Sequence, residues 1–332
     1  MTRRATIAVD AMGGDKAPGE IVAGALQAVD ELDVDVLLAG REEEITPLLP
    51  GGALPERVEI VDAREIVAMD EEPATAARAK KDSSLVRAAQ AVKEGRAQAM
   101  VGAGNTGATM AAALLKMGRI RGIARPAIAV PIPVPGSRPQ LLIDGGSTVD
   151  CSPAWLAQFA RMGRDYARTR LGVDEPSVGL LSNGEEPGKG DELRKQAYPL
   201  LEKVDGFVGN VEGRDLMKGD VDVVVTDGFT GNVALKSLEG ALRAAVTLVF
   251  DVLESTPEAR EAAKVVTPML LAAAVDLDPD ATGGAALLGV DGVCVISHGS
   301  SSARAIVNAT RLAAECVGTG MVARLKEAIH AG

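Results

Sequence analysis

Five times along this chain an apolar, strand-like run stops at a turn of Gly and small polar residues, and a helix-like run begins. The junctions are residues 8–15 (AVDAMGGD), 101–108 (VGAGNTGA), 141–148 (LLIDGGST), 224–232 (VVTDGFTGN) and 295–304 (VISHGSSSAR). Repetition of strand, turn and helix admits few architectures. It predicts a three-layer α/β/α fold, with a largely parallel sheet wound with helices on both faces. Residues 34–39 are apolar almost throughout, as expected of a strand covered on both sides. In such sheets ligands bind beyond the carboxyl ends of the strands, which is where the five turns lie. A helix N-terminus leaves N–H groups unpaired and carries partial positive charge, and Gly lets backbone approach a ligand closely. Turns rich in Asp, Asn, Thr, Ser and His therefore predict a cleft for a small anion, most simply phosphate.

The rest of the chain narrows the class. With 332 residues, 47% apolar but only 2% aromatic, the core must be built from Ala, Val, Leu and Ile. We read residues 1–332 as a single α/β catalytic domain. Further strands are predicted at 58–61, 128–134, 178–181 and 221–226, and helices at 19–32, 82–94 and 109–117. Pro131, Pro133 and Pro135 mark 128–134 as an edge or irregular segment. Residues 237–280 break the alternation and read as a protruding helical hairpin inserted in the domain. It has a turn at Ser255-Thr256-Pro257 and a second helix interrupted at Pro268. Its apolar stretch from Met269 to Val275 has two readings, a dimer interface or a lipid- or acyl-facing tip.

A net charge of −11 argues against nucleic acid as a partner. Cys151, Cys294 and Cys316 have neither metal nor redox spacing and read as free thiols in a reducing compartment. The N-terminal apolar run is too short for a secretory leader, and no run is long enough to span a membrane. The expectation is a cytoplasmic protein.

Several motifs bear on chemistry. Residues 102–107 (GAGNTG) match the dinucleotide fingerprint G-x-G-x-x-G, but no acidic residue ends the next strand, so nicotinamide binding is not expected. Instead Gly104, Asn105, Thr106 and Gly107 suit an anion. Residues 184–190 (GEEPGKG) fail as a P-loop; they are either a solvated loop or a carrier of Lys189, oriented by Glu185, into the cleft. His298 precedes Gly299, Ser300 and Ser301; it is either an acid–base group beside an anion cradle or a residue that fixes the turn. Asp227 caps a helix or lines the cleft, with Thr230, Asn232 and Lys236 close behind. Cys151 follows a strand-end turn but has no His near it in sequence, and no nucleophilic role is expected.

Together these segments resemble the phosphate acyltransferases of bacterial phospholipid synthesis (the PlsX family), nearly end to end. The resemblance is carried by Asp10-Ala-Met-Gly13-Gly14-Asp15, Lys81-Asp82-Ser83-Ser84, Gly104-Asn105-Thr106-Gly107, Arg125-Pro126-Ala127 and Val149-Asp150-Cys151. It continues through Gly184-Glu185-Glu186, Gly188-Lys189-Gly190, Gly209-Asn210-Val211-Glu212-Gly213-Arg214-Asp215, Asp227-Gly228-Phe229, Gly231-Asn232-Val233-Ala234-Leu235-Lys236 and Ser297-His298-Gly299-Ser300-Ser301. Thr148 stands where the family usually has Asn, and Ser182-Asn183 where it has Asn-Ile. The hairpin tip is also poorer in Lys than is usual.

The resemblance implies a fold like that of phosphotransacetylases and isocitrate dehydrogenases. It implies transfer of a fatty acyl group from acyl carrier protein to inorganic phosphate, giving acyl phosphate. It further implies a homodimer without cofactor or metal, loosely associated with the membrane near an acyl-phosphate:glycerol-3-phosphate acyltransferase. The expected catalytic set is His298, Asn232, Lys189 and Lys236. Phosphate is expected at Gly104, Asn105, Thr106, Gly107, Gly299, Ser300 and Ser301. Asp10, Gly13, Gly14, Asp15, Asp144, Glu185, Asp227 and Thr230 are expected elsewhere in the cleft. Arg78, Lys80, Lys81 and Arg87 are read either as a docking patch for the acidic carrier or as a solvated helix face. The nearest alternative is a soluble phosphotransacetylase acting on acyl-CoA; a non-catalytic scaffold and a decarboxylating dehydrogenase are more distant.

Overall fold

The apolar runs pair into one sheet. In the computed structural model, which describes residues 4–273 and 282–331, the first part of the chain forms β1 (Ala5–Asp10), α1 (Gly19–Glu31), β2 (Val34–Gly40), α2 (Glu42–Ile45), β3 (Val58–Asp62), α3 (Pro73–Ala79), α4 (Ser84–Lys93), β4 (Ala99–Gly102) and α5 (Thr106–Lys116). Next come β5 (Ala127–Ile132), β6 (Gln140–Ile143), α6 (Pro153–Arg170), β7 (Val178–Ser182), α7 (Glu192–Leu201), β8 (Phe207–Glu212), β9 (Val223–Val225), α8 (Gly228–Glu254) and α9 (Pro257–Ala273). The chain closes with β10 (Ala285–Leu288), β11 (Val293–Ile296), α10 (Ala303–Gly318) and α11 (Met321–Ala331). The described strands line up as β3-β2-β1-β4-β11-β10-β5-β6-β9-β7-β8.

Two parallel blocks result. Strands β3, β2, β1, β4 and β11 are mutually parallel, as are β6, β9, β7 and β8. Three antiparallel pairings in succession, β11 with β10, β10 with β5 and β5 with β6, join them. Three reversals invert direction, so the carboxyl ends of the two blocks lie on opposite edges of the sheet. The turns after β1, β4 and β11 fall on one edge and those after β6 and β9 on the other.

Helices α1, α6, α7, α10 and α11 pack on one face of the sheet, against Ile7, Val9, Leu141, Ile143 and Val225. Helices α4 and α5 cover the other face of the first block, against Ala8, Met100 and Cys294. The same face of the second block buries Leu142, Leu181 and Val224 beneath Ala234, Leu235 and Leu238 of α8. Helix α8 thus begins at one edge of the sheet and crosses toward the other, which brings the two sets of turns within reach of each other.

Two local expectations need correction. Strand β5 lies inside the sheet, not at its edge, because β10 pairs with residues 127–129 while β6 pairs with 129–132. Pro131 sits where only one neighbour remains, so its missing N–H breaks no ladder. Helix α9 runs through Pro268 without interruption. Both Pro268 and Lys264, whose carbonyl loses its partner, are exposed, so water satisfies that carbonyl.

No residue of α8 beyond Gly231, nor any described residue of α9, is buried. Apolar side chains nevertheless crowd these helices: Leu248, Val265 and Met269 are 65%, 69% and 67% exposed. Residues 274–280 of the expected hairpin lie outside the described residues. No helix among the described residues is long and apolar enough to cross a membrane.

Candidate active site

The turns after β1, β4 and β11 interlock at one edge. Gly14 has φ +105°, and a Cβ there would lie 2.9 Å from both the Ala103 and Gly299 carbonyl oxygens, so only Gly fits between the two neighbouring turns. The Asp15 N–H donates to the Gly299 carbonyl at 2.8 Å. Gly13 rests against Gly104 and the Asp10 carboxylate. Asp10 is buried and accepts from the Met12 N–H at 3.2 Å. Burial pushes its pKa up to about 6, against the opposing pull of the Ser84 hydroxyl and the Met12 and Gly13 N–H groups.

Three helix N-termini, those of α5 and α10 at this edge and that of α8 at the opposite one, differ in what already occupies them. Asn105 caps α5 through Oδ1, which accepts the Ala108 N–H at 3.0 Å, while its amide donates to the carbonyls of Met69 (3.0 Å) and Glu71 (3.3 Å). The side chain is therefore committed to shaping the turn. Among the described residues the N–H groups of Thr106 and Gly107 meet no acceptor, and Thr106 is exposed. Helix α10 is different: its Ala303 N–H already donates to the Glu20 carboxylate at 2.7 Å. Helix α8 is capped by the Asp227 carboxylate, which accepts the Thr230 N–H at 2.9 Å, and its Gly228 N–H donates to Thr148 O at 2.8 Å. Of these three, only α5 combines a neutral cap with two N–H groups that meet no acceptor among the described residues.

His298 lies in the turn after β11, which Gly14 joins to the turn leading into α5. Its Nδ1 accepts the Ser300 N–H at 3.2 Å and lies 2.7 Å from Ser300 Oγ. Accepting a backbone N–H assigns Nδ1 as the unprotonated nitrogen, so the neutral ring carries its proton on Nε2. Nε2–H then faces the Lys236 ammonium at 3.5 Å, two donors with no hydrogen bond between them, at the point where α8 arrives from the other edge. Lys236 is itself held by Glu239 at 2.8 Å. The buried Ser301 hydroxyl donates to the His298 carbonyl at 2.6 Å and contacts Ser297 Oγ at 2.8 Å, so it locks the turn internally.

At the opposite edge the acidic groups are enclosed. Asp144, fully buried, accepts from the N–H groups of Ile128, Gly146, Ser147 and Thr148 at 2.7–3.3 Å. Burial raises its pKa while these donors oppose the rise. Asp227 is drawn the other way. Burial alone would raise its pKa, but the Thr230 N–H and hydroxyl and the Arg194 guanidinium together hold it below the usual range. Arg194 lies 2.6 Å from Asp227 and 2.8 Å from Asp191, and donates to Thr226 Oγ1, Thr230 Oγ1 and the Leu181 carbonyl. The pair is nearly inaccessible on both sides, with 7% of each side chain exposed. Gly228 completes the fit, since a Cβ there would lie 2.7 Å from Thr148 N. Asn232 reaches back to Gly145 O at 3.3 Å. Burial, aided by Asp144 and Asp227, pushes the Cys151 thiol up to about 12, which keeps it protonated and non-nucleophilic near neutrality.

Sequence reasoning named the turns but missed Arg194, Glu20 and Ser84. One signal for Arg194 was available. A cation in the first turn of a helix opposes the macrodipole and calls for a buried acidic partner. The expected residues do not all converge. Lys189 is exposed on the loop after β7 and is hydrogen-bonded to neither His298 nor Lys236; Glu185 pairs with Arg214 at 3.1 Å. In the expected docking patch, Lys80 is bound to Glu71 (2.5 Å) and Arg87 to Asp82 (2.6 Å). The side chains of Arg78 and Lys81 are exposed and form no ion pair among the described residues. No cluster of three or more His, Cys, Asp or Glu side chains is placed for a metal ion among the described residues.

The fold is that of the phosphotransacetylases. A phosphotransacetylase from Streptococcus pyogenes superposes with TM-score 0.63 at 16% identity, covering 95% of this chain and 94% of that one. A branched-chain phosphotransacylase from Enterococcus faecalis V583 gives 0.59 at 16% identity, covering 94% and 99%. These likenesses concern architecture alone. Sequence is more specific. The model of the family described as "Fatty acid synthesis protein" matches residues 5–324, and the chain belongs to that family. Among its relatives is a phosphate acyltransferase of Desulfitobacterium hafniense (strain DSM 10664 / DCB-2), 50% identical over 324 residues, which are 97% of this chain and 96% of the relative. A phosphate acyltransferase of Heliobacterium modesticaldum is also 50% identical, over 97% of each chain.

Proposed function

We propose that this chain is an acyltransferase that moves a fatty acyl group from the thioester of acyl carrier protein to inorganic phosphate, releasing the carrier thiol and acyl phosphate for phospholipid synthesis. The observation that carries the reading is the α5 N-terminus. It has a neutral Asn105 cap and free Thr106 and Gly107 N–H groups, and the turn it follows interlocks with the turn that presents His298. The names of the relatives agree with it.

The reaction needs phosphate aligned on the thioester carbonyl, its charge tolerated, and the tetrahedral oxyanion stabilised. Phosphate sits on the Thr106 and Gly107 N–H groups, with the Thr106 and Ser300 hydroxyls beside it and Lys236 supplying positive charge. Gly104, Asn105, Gly299 and Ser301 give this cradle its shape. A phosphate oxygen attacks the carbonyl carbon and the C–O bond forms. The developing oxyanion accepts a hydrogen bond from His298 Nε2–H, with Asn232 alongside. The C–S bond then breaks. A thiolate whose conjugate acid has a pKa of about 8.5 leaves without protein-supplied protonation, so no acyl-enzyme is required. Lys189, on its exposed loop, is assigned to the arriving carrier thioester and not to the phosphate.

The carrier docks at Arg78 and Lys81, the two patch residues whose charges are not already paired. The exposed apolar α8–α9 hairpin forms the homodimer, and the enzyme works in the cytoplasm with loose attachment to the membrane face where acyl phosphate is consumed. Acyl-CoA as donor is the second reading, favoured by the phosphotransacetylase fold.

Thioester cleavage measured with matched acyl-carrier and acyl-CoA donors, with and without phosphate, tests both. The reading predicts strict phosphate dependence and a preference for the carrier. Equal use of acyl-CoA favours the second reading. A burst of free carrier without phosphate contradicts direct transfer.

A further inference from the structure

We infer that the flank of α8 bearing Phe229 and Val233 is the track on which the acyl chain lies, running from the Lys236–His298 contact toward Val149; this rests on the acyl-transfer reading above. Phe229, Val233 and Lys236 are spaced i, i+4 and i+7, so they share one flank of the helix, with Asn232 beside them. Phe229 is 62% exposed and Val233 50%. Neither exposure would mean much alone; adjacent on one flank and next to the Lys236–His298 contact, the two make a continuous apolar strip.

The direction of the track follows from what lies either side of Lys236. Toward the end of α8 the same flank continues as Gly240, Arg243 and Thr247, which offer an alkyl chain no apolar surface. Toward its start the flank is apolar as far as Phe229. The hydrogen bond from Gly228 N–H to Thr148 O then puts Phe229 one residue from a backbone contact whose other side adjoins Val149, which is 59% exposed. The polar end of a thioester and its alkyl tail would therefore find matching surfaces in the right order. Seven residues of helix cover about 10 Å, roughly half of an extended sixteen-carbon chain.

The experiment uses thioesters of four, eight, twelve and sixteen carbons with the intact protein and its Phe229→Ala, Phe229→Leu and Val233→Ala variants. Each methylene withdrawn from water is worth about fourfold in affinity, so the penalty must grow with chain length. Phe229→Ala is expected to lower kcat/KM about tenfold at sixteen carbons and less than twofold at four, mostly through KM, with Phe229→Leu recovering most of the loss. Val208→Ala, an exposed apolar truncation on β8, is expected to leave the chain-length profile flat. A penalty independent of chain length overturns the inference. So does a loss that tracks dissociation of a dimer on a sizing column, because the flank is then a subunit contact. Absence of phosphate-dependent cleavage at every length in the unaltered protein removes the acyl-transfer reading itself, whereas a flat profile in an active enzyme removes the track alone.

Discussion

The turns after β4 and β9 are written alike, GNTG and DGFTGN, yet they are opposite as anion sites. Helix α5 has a neutral Asn cap and free N–H groups at Thr106 and Gly107; helix α8 has a carboxylate cap, and its first N–H is spent on Thr148. A carboxylate at a helix N-terminus already answers the dipole and repels a second anion. The difference is one of charge at a single position, Asn105 against Asp227, reinforced by enclosure. At one edge the first N–H groups of α5 stay unpaired among the described residues. The other is closed by its own hydrogen bonds, Asn232 to Gly145 O among them, and holds the start of α8, which carries Lys236 across to His298.

The comparison breaks most visibly at Arg194. Arg194→Ala leaves Asp227 buried without its partner, a loss of about 3–5 kcal/mol in stability. A closed framework predicts a fall in Tm together with lower kcat, and Arg194→Lys should recover stability better than activity, because Lys lacks the planar fork that reaches Thr226 and Thr230. Unchanged Tm would mean that the closed edge is not a framework.

Asp10 tests the root of the open edge. Its carboxyl has a folded pKa of about 6 against an ordinary 3.8, so the folded state holds its proton more tightly. Below pH ~4 the group is protonated folded or unfolded and has no effect. Between pH ~4 and ~6 the unfolded chain has released this proton while the fold retains it, so stability falls, by at most about 3 kcal/mol in all, and levels off once the folded carboxyl has ionised. Asp10→Asn should therefore match the unaltered protein in urea unfolding at pH 4 and exceed it at pH 7.5. A difference that does not vary with pH would contradict the burial effect.

How far sequence reached depended on how local the cause was. The turns were legible because a glycine and a small polar cap beside an apolar run act within a few residues. The opposed direction of the two blocks was not, because it arises from β5 and β10 pairing across more than 150 residues of chain. Strand β10, a short Ala-Ala-Leu-Leu run, carries no alternation to mark it. Glu20 on the α10 terminus and Arg194 on Asp227 are contacts between distant segments, and they decide which terminus stays open. The sequence therefore revealed the candidate anion sites without showing that the α10 and α8 termini already meet carboxylates of the chain.

His298→Ala removes the open edge's proposed oxyanion donor, and kcat should fall about 10²-fold. His298→Gln discriminates between roles: its amide can still donate, so partial activity supports the Nε2–H donor, while a variant as inactive as Ala indicates a base. Exchange of cap chemistry follows. Asn105→Asp puts a carboxylate on the α5 terminus, and the KM for phosphate should rise about tenfold, close to 1.4 kcal/mol. Because the change also ends amide donation to Met69 and Glu71, Asn105→Ser serves as control. If the neutral Ser cap raises the KM equally, loop shape and not charge governs the site.

The smallest effect is expected outside both turns, at the proposed docking patch. Lys80 and Arg87 are neutralised within the chain, so reversing either one breaks an internal pair as well as altering the surface. Lys81 is free of that confusion. Lys81→Glu should raise the KM for an acyl-carrier thioester about threefold at low salt, leave the KM for phosphate unchanged, and lose its effect as screening shortens the range of surface charge. Arg78→Glu should act likewise, and the two together roughly multiply if both face the same acidic surface. A threefold effect that persists at 1 M salt would place Lys81 in direct contact with the donor, and an equal effect with acyl-CoA would show that the charge reads a phosphate on the donor and not the carrier protein.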